Sequence, residues 1–431
     1  SGSRQVVEKD GTAIGSNISA GGSLIVYTGG IAHGVNQETG SALVANTGAG
    51  TDIEGYNKLS HFTITGGEAN YVVLENTGEL TVVAKTSAKN TTVDAGGKLI
   101  VQKEAKTDTT RLNNGGVLEV QDGGEAKHVE QQSGGALIAS TTSGTLIEGT
   151  NSYGDAFYIR NSEAKNVVLE NAGSLTVVTG SRAVDTIINA NGKMDVYGKD
   201  VGTVLNSAGT QTIYASATSD KANIKGGKQT VYGLATEANI ESGEQIVDGG
   251  STEKTHINGG TQTVQNYGKA INTDIVSGLQ QIMANGTAEG SIINGGSQVV
   301  NEGGLAENSV LNDGGTLDVR EKGSATGIQQ SSQGALVATT RATRVTGTRA
   351  DGVAFSIEQG AANNILLANG GVLTVESDTS SDKTQVNMGG REIVKTKGEP
   401  MDVPVNSWID VRLDMPDDSA FNQMINQKLQ P

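Results

Sequence analysis

The sequence predicts an all-β protein: a single-stranded right-handed parallel β-helix (solenoid) of roughly twenty coils with three hairpin-decorated double rungs. A Gly-Gly pair recurs about every 16 to 19 residues. Each pair precedes a short apolar alternation, and stretches with helical periodicity are almost absent before residue 415. A fixed short period indicates a stacked repeat, and the alternation makes its elements strands.

The second Gly of each pair, or the Gly that replaces it, marks one coil. These marks are Gly97, Gly116, Gly135, Gly173, Gly192, Gly209, Gly227, Gly243, Gly260, Gly278, Gly296, Gly315, Gly334, Gly371 and Gly390. The gaps after Gly135 and Gly334 are twice the usual length, as is the gap from Gly40 to Gly78. At roughly 4.8 Å per coil, about twenty coils predict a rod on the order of 100 Å long.

One coil illustrates the predicted strand. In the segment after Gly116, Leu118 and Val120 fall on one face and Glu119 on the other, because strand side chains alternate. Leu118 and Val120 are therefore predicted to point inward. A second apolar position, such as Ile188, precedes the Gly pair, and nearby Asn and Gly suit the corners.

Glutamine replaces the first inward residue in six consecutive coils. The six are Gln211, Gln229, Gln245, Gln262, Gln280 and Gln298. Stacked identical amides can hydrogen-bond along the axis, which predicts an internal glutamine ladder. The alternative is that a narrow coil lets these amides reach solvent.

Three longer segments share one plan, in which a central strand carries a Phe. These strands contain Phe62, Phe157 and Phe355, and each follows a turn rich in Gly, Asn or Asp. A turn between two strand-like runs predicts a small hairpin that projects from the rod.

Several motifs together resemble one known family. They are the coil pattern Thr-x-x-Asn-x-Gly-Gly-x-Leu-x-Val, the run Ala-Phe-Ser-Ile at 354–357, and the run Asn-Ile-Leu-Leu-Ala-Asn-Gly-Gly at 364–371. The chain resembles the passenger domains of AIDA-type self-associating autotransporter adhesins, from residue 4 to about residue 397.

This resemblance implies a cell-surface passenger that promotes self-association, cell aggregation and biofilm formation. It implies a parent protein anchored in the outer membrane of a Gram-negative bacterium. The implied partners are other copies of the chain, a host surface glycan or protein, and a heptosyltransferase that modifies Ser or Thr. A β-helical carbohydrate-binding or polysaccharide-cleaving envelope protein is the alternative.

Composition excludes several other classes of protein. The formal charge of −16 argues against nucleic acid and anionic membranes as partners. No apolar run is long enough for a membrane-spanning helix, and without cysteine there are no disulfides or thiolate sites. The chain opens inside the repeat, so we expect it to be part of a longer protein.

The last residues depart from the repeat. All four prolines and the single tryptophan lie there, which predicts a solenoid over 1–397 and a C-terminal cap or fused tail over 398–431. Within the tail, residues 407–413 alternate like a strand, and residues 417–429 could form a capped helix.

No arrangement of residues predicts catalysis or a metal site, so we expect no enzyme activity and no cofactor. The candidate acids Glu119, Asp195, Asp248 and Asp318 are predicted to lie outward in solvent. The four histidines, His33, His61, His128 and His256, have no ligand spacing, and the calcium-binding Gly-Gly-x-Gly-x-Asp pattern is absent.

One set of outward residues is a candidate binding strip. It consists of Thr176, Thr212, Thr230, Thr263 and Thr374, each between two inward residues. Threonine is a good strand former in water, so the row needs no function. The alternative is that two rods on facing cells join through many weak hydrogen bonds. Ice binding would require Thr-x-Thr on one face of most coils, and only isolated cases occur.

Overall fold

A computed structural model describes residues 2–396 and the backbone of residues 399–401 and 409–412. The chain is a β-solenoid of about 21 turns with mostly parallel strands, which confirms the predicted fold class. No helix occurs in these described residues. The chain divides into two compact units, Ser1–Ser219 and Asp220–Pro431, which are described separately below.

Each coil of the first unit has three faces. We call the strand after the Gly pair the first-face strand, and the next two strand segments lie on the second and third faces. The first-face strands are Arg4–Val7, Ser23–Val26, Ala42–Asn46, Glu79–Val82, Lys98–Val101, Val117–Val120, Ala136–Ser140, Ser174–Val177, Lys193–Val196 and Thr210–Ile213. The second-face and third-face strands are Thr12–Ile14, Asn17–Ile18, Ile31–Gln37, Val73–Leu74, Ser87–Val93, Lys106–Leu112, Glu125–Gln131, Val168–Leu169, Arg182–Val184, Ile187–Ile188, Lys199–Val201, Val204–Asn206 and Thr218–Asp220.

In the second unit the third-face strand of one coil often continues into the first-face strand of the next. The continuous strands are Asn223–Val231, Asn239–Asp248, His256–Gln265 and Asp274–Ile282. Separate first-face strands are Ser297–Val300, Thr316–Val319, Ala335–Thr339, Val372–Val375, Arg391–Lys395 and Ile409–Arg412. The other two faces hold Leu234–Thr236, Ser251–Glu253, Lys269–Ile271, Thr287–Glu289, Ile292–Ile293, Leu305–Glu307, Val310–Leu311, Ser324–Gln330, Leu366–Leu367, Ser380–Asp382, Gln385–Val386 and Glu399–Met401.

The core follows from the alternation along each strand. Leu118 and Val120 are 0% and 2% exposed, as the sequence predicts. They stack in parallel register on Leu99 and Val101 of the coil before. Inward residues of the second face are mostly small, such as Ala126, so the bulky first-face side chains fit within a narrow coil.

A corner separates the second face from the third. The residue at this corner adopts a left-handed backbone in coil after coil, with φ of 56° at Asn90, 59° at Thr109 and 54° at His128. Asn and Gly adopt this conformation most readily, and they recur along the corner column.

The glutamine ladder is present in the second unit. Each amide nitrogen donates to the amide oxygen one coil earlier, at 2.7 to 2.9 Å, and all the residues involved are fully buried. The ladder runs through Gln229, Gln245, Gln262, Gln280 and Gln298. In the first unit, Gln211 is also buried, and its amide nitrogen lies 3.0 Å from Oδ2 of Asp200. This part of the sequence prediction is confirmed.

The three decorated segments are antiparallel meanders of three strands each. They consist of Asp52–Tyr56, His61–Thr65 and Glu68–Asn70, then Leu146–Thr150, Ala156–Arg160 and Glu163–Lys165, and then Arg344–Arg349, Ala354–Glu358 and Ala361–Asn363. The outer strands of each meander pair in parallel with the coils before and after it.

On the first face the meander adds no strand. Val44 pairs directly with Glu79, and Ile138 pairs with Ser174. The doubled period therefore contains one first-face strand, and the additional residues form the second and third strands of the meander. The sequence predicted a double rung and missed the third strand, because Glu68–Asn70 and its counterparts are only three residues long.

A buried glutamine bridges the gap that each meander opens on the third face. The amide nitrogens of Gln37, Gln131 and Gln330 donate to backbone oxygens about 36 residues later, at 3.0 to 3.1 Å. The acceptors belong to the strand that follows the meander, such as Val168 in Val168–Leu169. The side chain thus replaces a ladder hydrogen bond that the inserted strands remove.

The tail is described only in part. The strand Ile409–Arg412 falls within the strand predicted at 407–413, and it pairs in parallel with Glu392–Lys395. The strand Glu399–Met401 pairs with Ser380–Asp382. The predicted helix at 417–429 lies outside the described residues, and both the boundary near residue 398 and the handedness of the solenoid stay predictions.

Candidate functional site

The threonines of the candidate strip all lie at outward, half-buried positions of first-face strands. Thr176 and Thr212 belong to the first unit, and Thr230, Thr263 and Thr374 belong to the second. They do not form an unbroken row. Asp195 lies between Thr176 and Thr212 in the register, and Ile246 lies between Thr230 and Thr263. After Thr263 the same column holds four side chains without a β-hydroxyl, and Thr374 pairs with Thr339 outside that column. The five threonines are therefore an interrupted set.

A pair of tyrosines borders the strip in the first unit. The rings of Tyr197 and Tyr214 are stacked, with centroids 4.3 Å apart and planes 4° from parallel. The hydroxyl of Tyr214 donates to Asp195 at 3.2 Å. Burial, the hydrogen bond with Tyr197 and the nearby Asp195 charge raise the pKa of Tyr214 to about 12, so its hydroxyl stays protonated at neutral pH.

Each acid that the sequence singled out has its own local partner. Glu119 pairs with Lys98 at 3.5 Å, and Asp318 pairs with Arg320 at 3.4 Å. Burial raises the pKa of Asp318 despite this ion pair, so Asp318 is less solvated than the sequence predicted. Asp248 accepts from the side chain of Asn266 at 3.1 Å.

The four histidines each contact one carboxylate on a neighbouring strand. The pairs are His33 with Asp52 at 2.9 Å, His61 with Glu54 at 2.7 Å, His128 with Asp108 at 3.0 Å, and His256 with Asp274 at 2.9 Å. Across the part of the chain that the structure describes, no three His, Asp or Glu side chains are grouped to hold a metal ion.

The meanders interrupt the regular coils, and each has a glycine as the fourth residue of its first strand. A Cβ on Gly149 would lie 2.0 Å from the backbone oxygen of Val129, so only glycine allows the first meander strand this close to the preceding coil. The register shifts there between Ala126 and Val129. Phe157 pairs directly across from Gly149 and is 2% exposed, so its ring covers the space that glycine leaves.

The same glycine and phenylalanine recur in the other two meanders. Gly55 pairs with Phe62, and Gly347 pairs with Phe355. A Cβ on Gly55 would lie 2.1 Å from the oxygen of Val35. The sequence predicted these three glycines in the turn before each central strand, but the structure places them in the first meander strand, opposite the Phe.

The hairpin tips are bound to the coils. In the first meander, Lys58 contacts Glu75 and lies 2.6 Å from Asp94. Burial lowers the pKa of Lys58, but its hydrogen bonds to Asp94 and Glu75 outweigh burial and raise it overall. In the third meander, Arg349 donates to Gln385 at 3.0 Å. The tips therefore project less freely than the sequence predicted.

An open cleft of about 750 Å³ lies beside the second meander. Its lining includes Lys127 and His128 of the preceding coil, together with Tyr158, Arg160 and Lys165 of the meander. Arg160 lies 3.9 Å from the centre of the Tyr158 ring and 3.3 Å from Glu148. Arg160 and Glu148 therefore form an ion pair within the lining of the cleft.

More than half of the chain matches the family described as adhesin of bacterial autotransporter system, probable stalk. The matched residues are 54–116, 148–209, 283–334 and 346–407. The chain belongs to this AIDA family of autotransporter adhesins. Three of the matched segments begin inside the first strand of a meander. Each of these three matches therefore covers most of a meander together with the residues that follow it.

Two similar proteins add detail. The probable autotransporter YpjA of Escherichia coli strain K12 is 99% identical over 395 residues, which is 92% of this chain and 26% of that protein. The chain therefore spans about a quarter of the length of this relative. A crystal structure of a TibC-catalysed, hyper-glycosylated TibA fragment is 25% identical, with a TM-score of 0.37, over 79% of this chain and 98% of that one.

The structure has no helix of sufficient length and apolarity to cross a membrane in the residues it describes.

Proposed function

We propose that this chain is part of the stalk of a surface-displayed adhesin, without enzymatic activity, and that it binds other copies of itself to promote cell aggregation and biofilm formation. Membership of the autotransporter adhesin family supports display outside the cell on a parent protein anchored in the outer membrane. The observation that favours self-association is a set of threonine hydroxyls at outward, half-buried positions of the first-face strands.

The strip of Thr176, Thr212, Thr230, Thr263 and Thr374 supplies weak contacts. Each hydroxyl can donate and accept one hydrogen bond, with a net contribution of about 0.5–1.5 kcal/mol. A few such contacts hold two molecules only transiently. Many molecules on two facing cells engage together, so avidity sets the strength of adhesion.

Charge opposes this contact. The net charge of −16 makes two copies repel each other, and salt screens that repulsion. Self-association through hydroxyls should therefore strengthen as ionic strength rises, whereas contact through opposite charges should weaken.

Sedimentation velocity over a wide concentration range tests the proposal in pure protein, without added saccharide. The variant replaces Thr212, Thr230 and Thr263 with Glu. The matched control places Glu at Thr236, Thr287 and Thr326, which are half-buried threonines of the second face. We expect the unchanged chain to form oligomers that become stronger as the salt concentration rises. The variant should form none, and the control should form them as the unchanged chain does. A chain that stays monomeric, or equal losses in both variants, would contradict the proposal and favour the carbohydrate-binding alternative.

A further inference from the structure

The three meanders are structural copies, so their outward edges can be compared position by position. The compared positions are the cross-strand pair beside the hairpin tip and the corner residue after the third strand. In the second meander they are Thr150, Ala156 and Asn166, in the third Thr348, Ala354 and Asn364, and in the first Tyr56, His61 and Tyr71. Small residues in two copies thus correspond to three ring-bearing residues in the first.

Tyr71 occupies a backbone conformation that suits tyrosine poorly. Its φ is 59°, whereas the equivalent residues Asn166 and Asn364 have φ of 57° and 58°. Asn tolerates this left-handed conformation, and a bulky side chain at the same φ costs free energy. Tyr71 is 51% exposed, so burial of its ring offsets little of that cost. Other corners of the chain also hold non-Gly residues at this φ, such as Thr109 at 59°, so it is the exposed aromatic ring of Tyr71 that sets this corner apart.

The neighbouring residues expose apolar surface at the same edge. Tyr56 is 61% exposed and Leu59 is 62% exposed. The Tyr56 and His61 rings meet edge to face, with centroids 5.0 Å apart. The side chain of Asn57 donates to the backbone oxygen of Tyr71 at 2.8 Å, which holds the two sides of the edge together. We call Tyr56, Leu59, His61 and Tyr71 the aromatic edge.

Ionised and hydrogen-bonding groups lie beside these rings. Glu54 accepts from the backbone nitrogen of Gly34 at 3.0 Å and contacts His61 at 2.7 Å. The backbone N–H of Gly34 and then His61 lower the pKa of Glu54, which keeps it a carboxylate at neutral pH. A carboxylate has about four lone-pair sites, so Glu54 can accept further hydrogen bonds.

We propose that the aromatic edge binds a saccharide, with pyranose rings on the faces of Tyr56 and Tyr71 and a sugar hydroxyl donating to Glu54. A pyranose has one face of C–H groups and a rim of hydroxyls, which matches exposed rings beside an acceptor. Rigid aromatic side chains lose little entropy on binding. This activity is separate from the proposed self-association.

Charge favours a neutral sugar over a second copy of the chain at this edge. Glu54 borders the edge through its contact with His61, and the chain carries a formal charge of −16. A second copy would bring its own Glu54 towards this carboxylate, and like charges in contact are unfavourable. A neutral hexopyranose brings no charge.

The test replaces Tyr71 with Asn, the residue of the other two meanders. The probes are maltohexaose, cellohexaose and a galactohexaose, and binding is followed by saturation-transfer NMR together with the melting temperature. We expect the unchanged chain to bind at least one probe. The variant should bind it at least tenfold more weakly, with an equal or higher melting temperature because the strain is relieved. Tyr56→Thr should also weaken binding.

Tyr267→Asn is the matched control. Tyr267 is another tyrosine with positive φ, 69°, and is 80% exposed, but it belongs to the second unit. It should leave binding unchanged. The proposal would be overturned if the unchanged chain bound none of the probes, or if Tyr71→Asn and Tyr267→Asn weakened saccharide binding equally. It would also be overturned if Tyr71→Asn lost self-association while saccharide binding stayed intact. The last result would make the edge a contact between copies.

Discussion

At the scale of single residues, the interior is notable for polar side chains that satisfy one another. Glutamine is costly to bury alone, yet five amides in the second unit form a chain of hydrogen bonds. The sequence predicted this ladder, because six glutamines occupy one inward position in consecutive coils. It did not predict Gln37, Gln131 and Gln330, which lie far apart and act on backbone atoms.

Replacing Gln262, in the middle of the ladder, should destabilise the protein more than replacing Gln298 at its end. In Gln262→Leu the amide oxygen of Gln245 loses the group that donates to it, and the amide nitrogen of Gln280 loses its acceptor. We expect the free energy of unfolding to fall by roughly 2–4 kcal/mol. Gln298→Leu should cost less, about 1–2 kcal/mol, because Ser291 still donates to Gln280 at 2.8 Å and only the Ser309 hydroxyl loses its acceptor. Guanidinium unfolding measures both. Equal costs would argue that the amides act independently.

Glu392 is a buried carboxyl that makes stability depend on pH. It is 0% exposed, and it accepts from Ser381 at 2.6 Å. Burial raises its pKa above the usual 4.5, although the Ser381 hydrogen bond acts to lower it. A raised folded-state pKa gives stability that is complete at low pH and is lost as pH rises through the folded pKa.

Glu392→Gln should therefore remove one source of pH dependence. We expect its melting temperature to match that of the unchanged chain near pH 4 and to exceed it by pH 7, because the neutral amide needs no proton. Thermal unfolding followed by circular dichroism from pH 4 to pH 8 measures the difference. Glu302→Gln, at a side chain with 72% exposure, is the control and should shift neither curve. A Gln variant less stable at pH 7 would mean that the carboxylate itself has a stabilising partner.

At the scale of elements, the meander depends on close approach at one glycine. Gly149→Ala puts a Cβ 2.0 Å from a backbone oxygen that cannot move aside, so the strand Leu146–Thr150 should separate from its coil. Overpacking of this kind costs about 1–3 kcal/mol. Hydrogen exchange should show faster exchange for amides in 146–165 and unchanged exchange in the coils further away.

A second glycine in the same hairpin serves as the control. Gly154 has φ of 83° and no atom within 4 Å of an added Cβ. Gly154→Asn should leave exchange unchanged, because Asn tolerates positive φ. Slowed or unaltered exchange in Gly149→Ala would show that the first meander strand does not need this approach.

At the scale of the whole molecule, the sequence period predicted the regular coils well, and it predicted the surfaces that depart from the repeat less well. Each ordinary coil repeats the same inward Leu or Val, so the period alone identifies the solenoid. The parallel strands, the glutamine ladder and the position of the three decorated segments could all be predicted. The proposed aromatic edge could not be predicted. Tyr71 differs from Asn166 only when the meanders are aligned in register, and its φ is a property of the folded backbone.

The sequence also could not decide whether the threonines of the strip bind a partner or are simply good strand formers in water. The register places Asp195 and Ile246 between its members, which the spacing along the chain did not reveal. With a charge of −16, the proposed self-association would gain its strength from many copies of the strip acting in parallel.

The glutamine ladder also gives the stack a direction of growth. Every amide nitrogen points towards the earlier coil, so a partly folded stack presents an amide oxygen to the next coil. The following glutamine can donate to that oxygen on arrival. Until then a hydroxyl of the same coil can occupy it, as Ser291 donates to Gln280 and Ser309 donates to Gln298. A stack that adds coils after its carboxyl-terminal one can therefore pause between coils without leaving a bare acceptor inside.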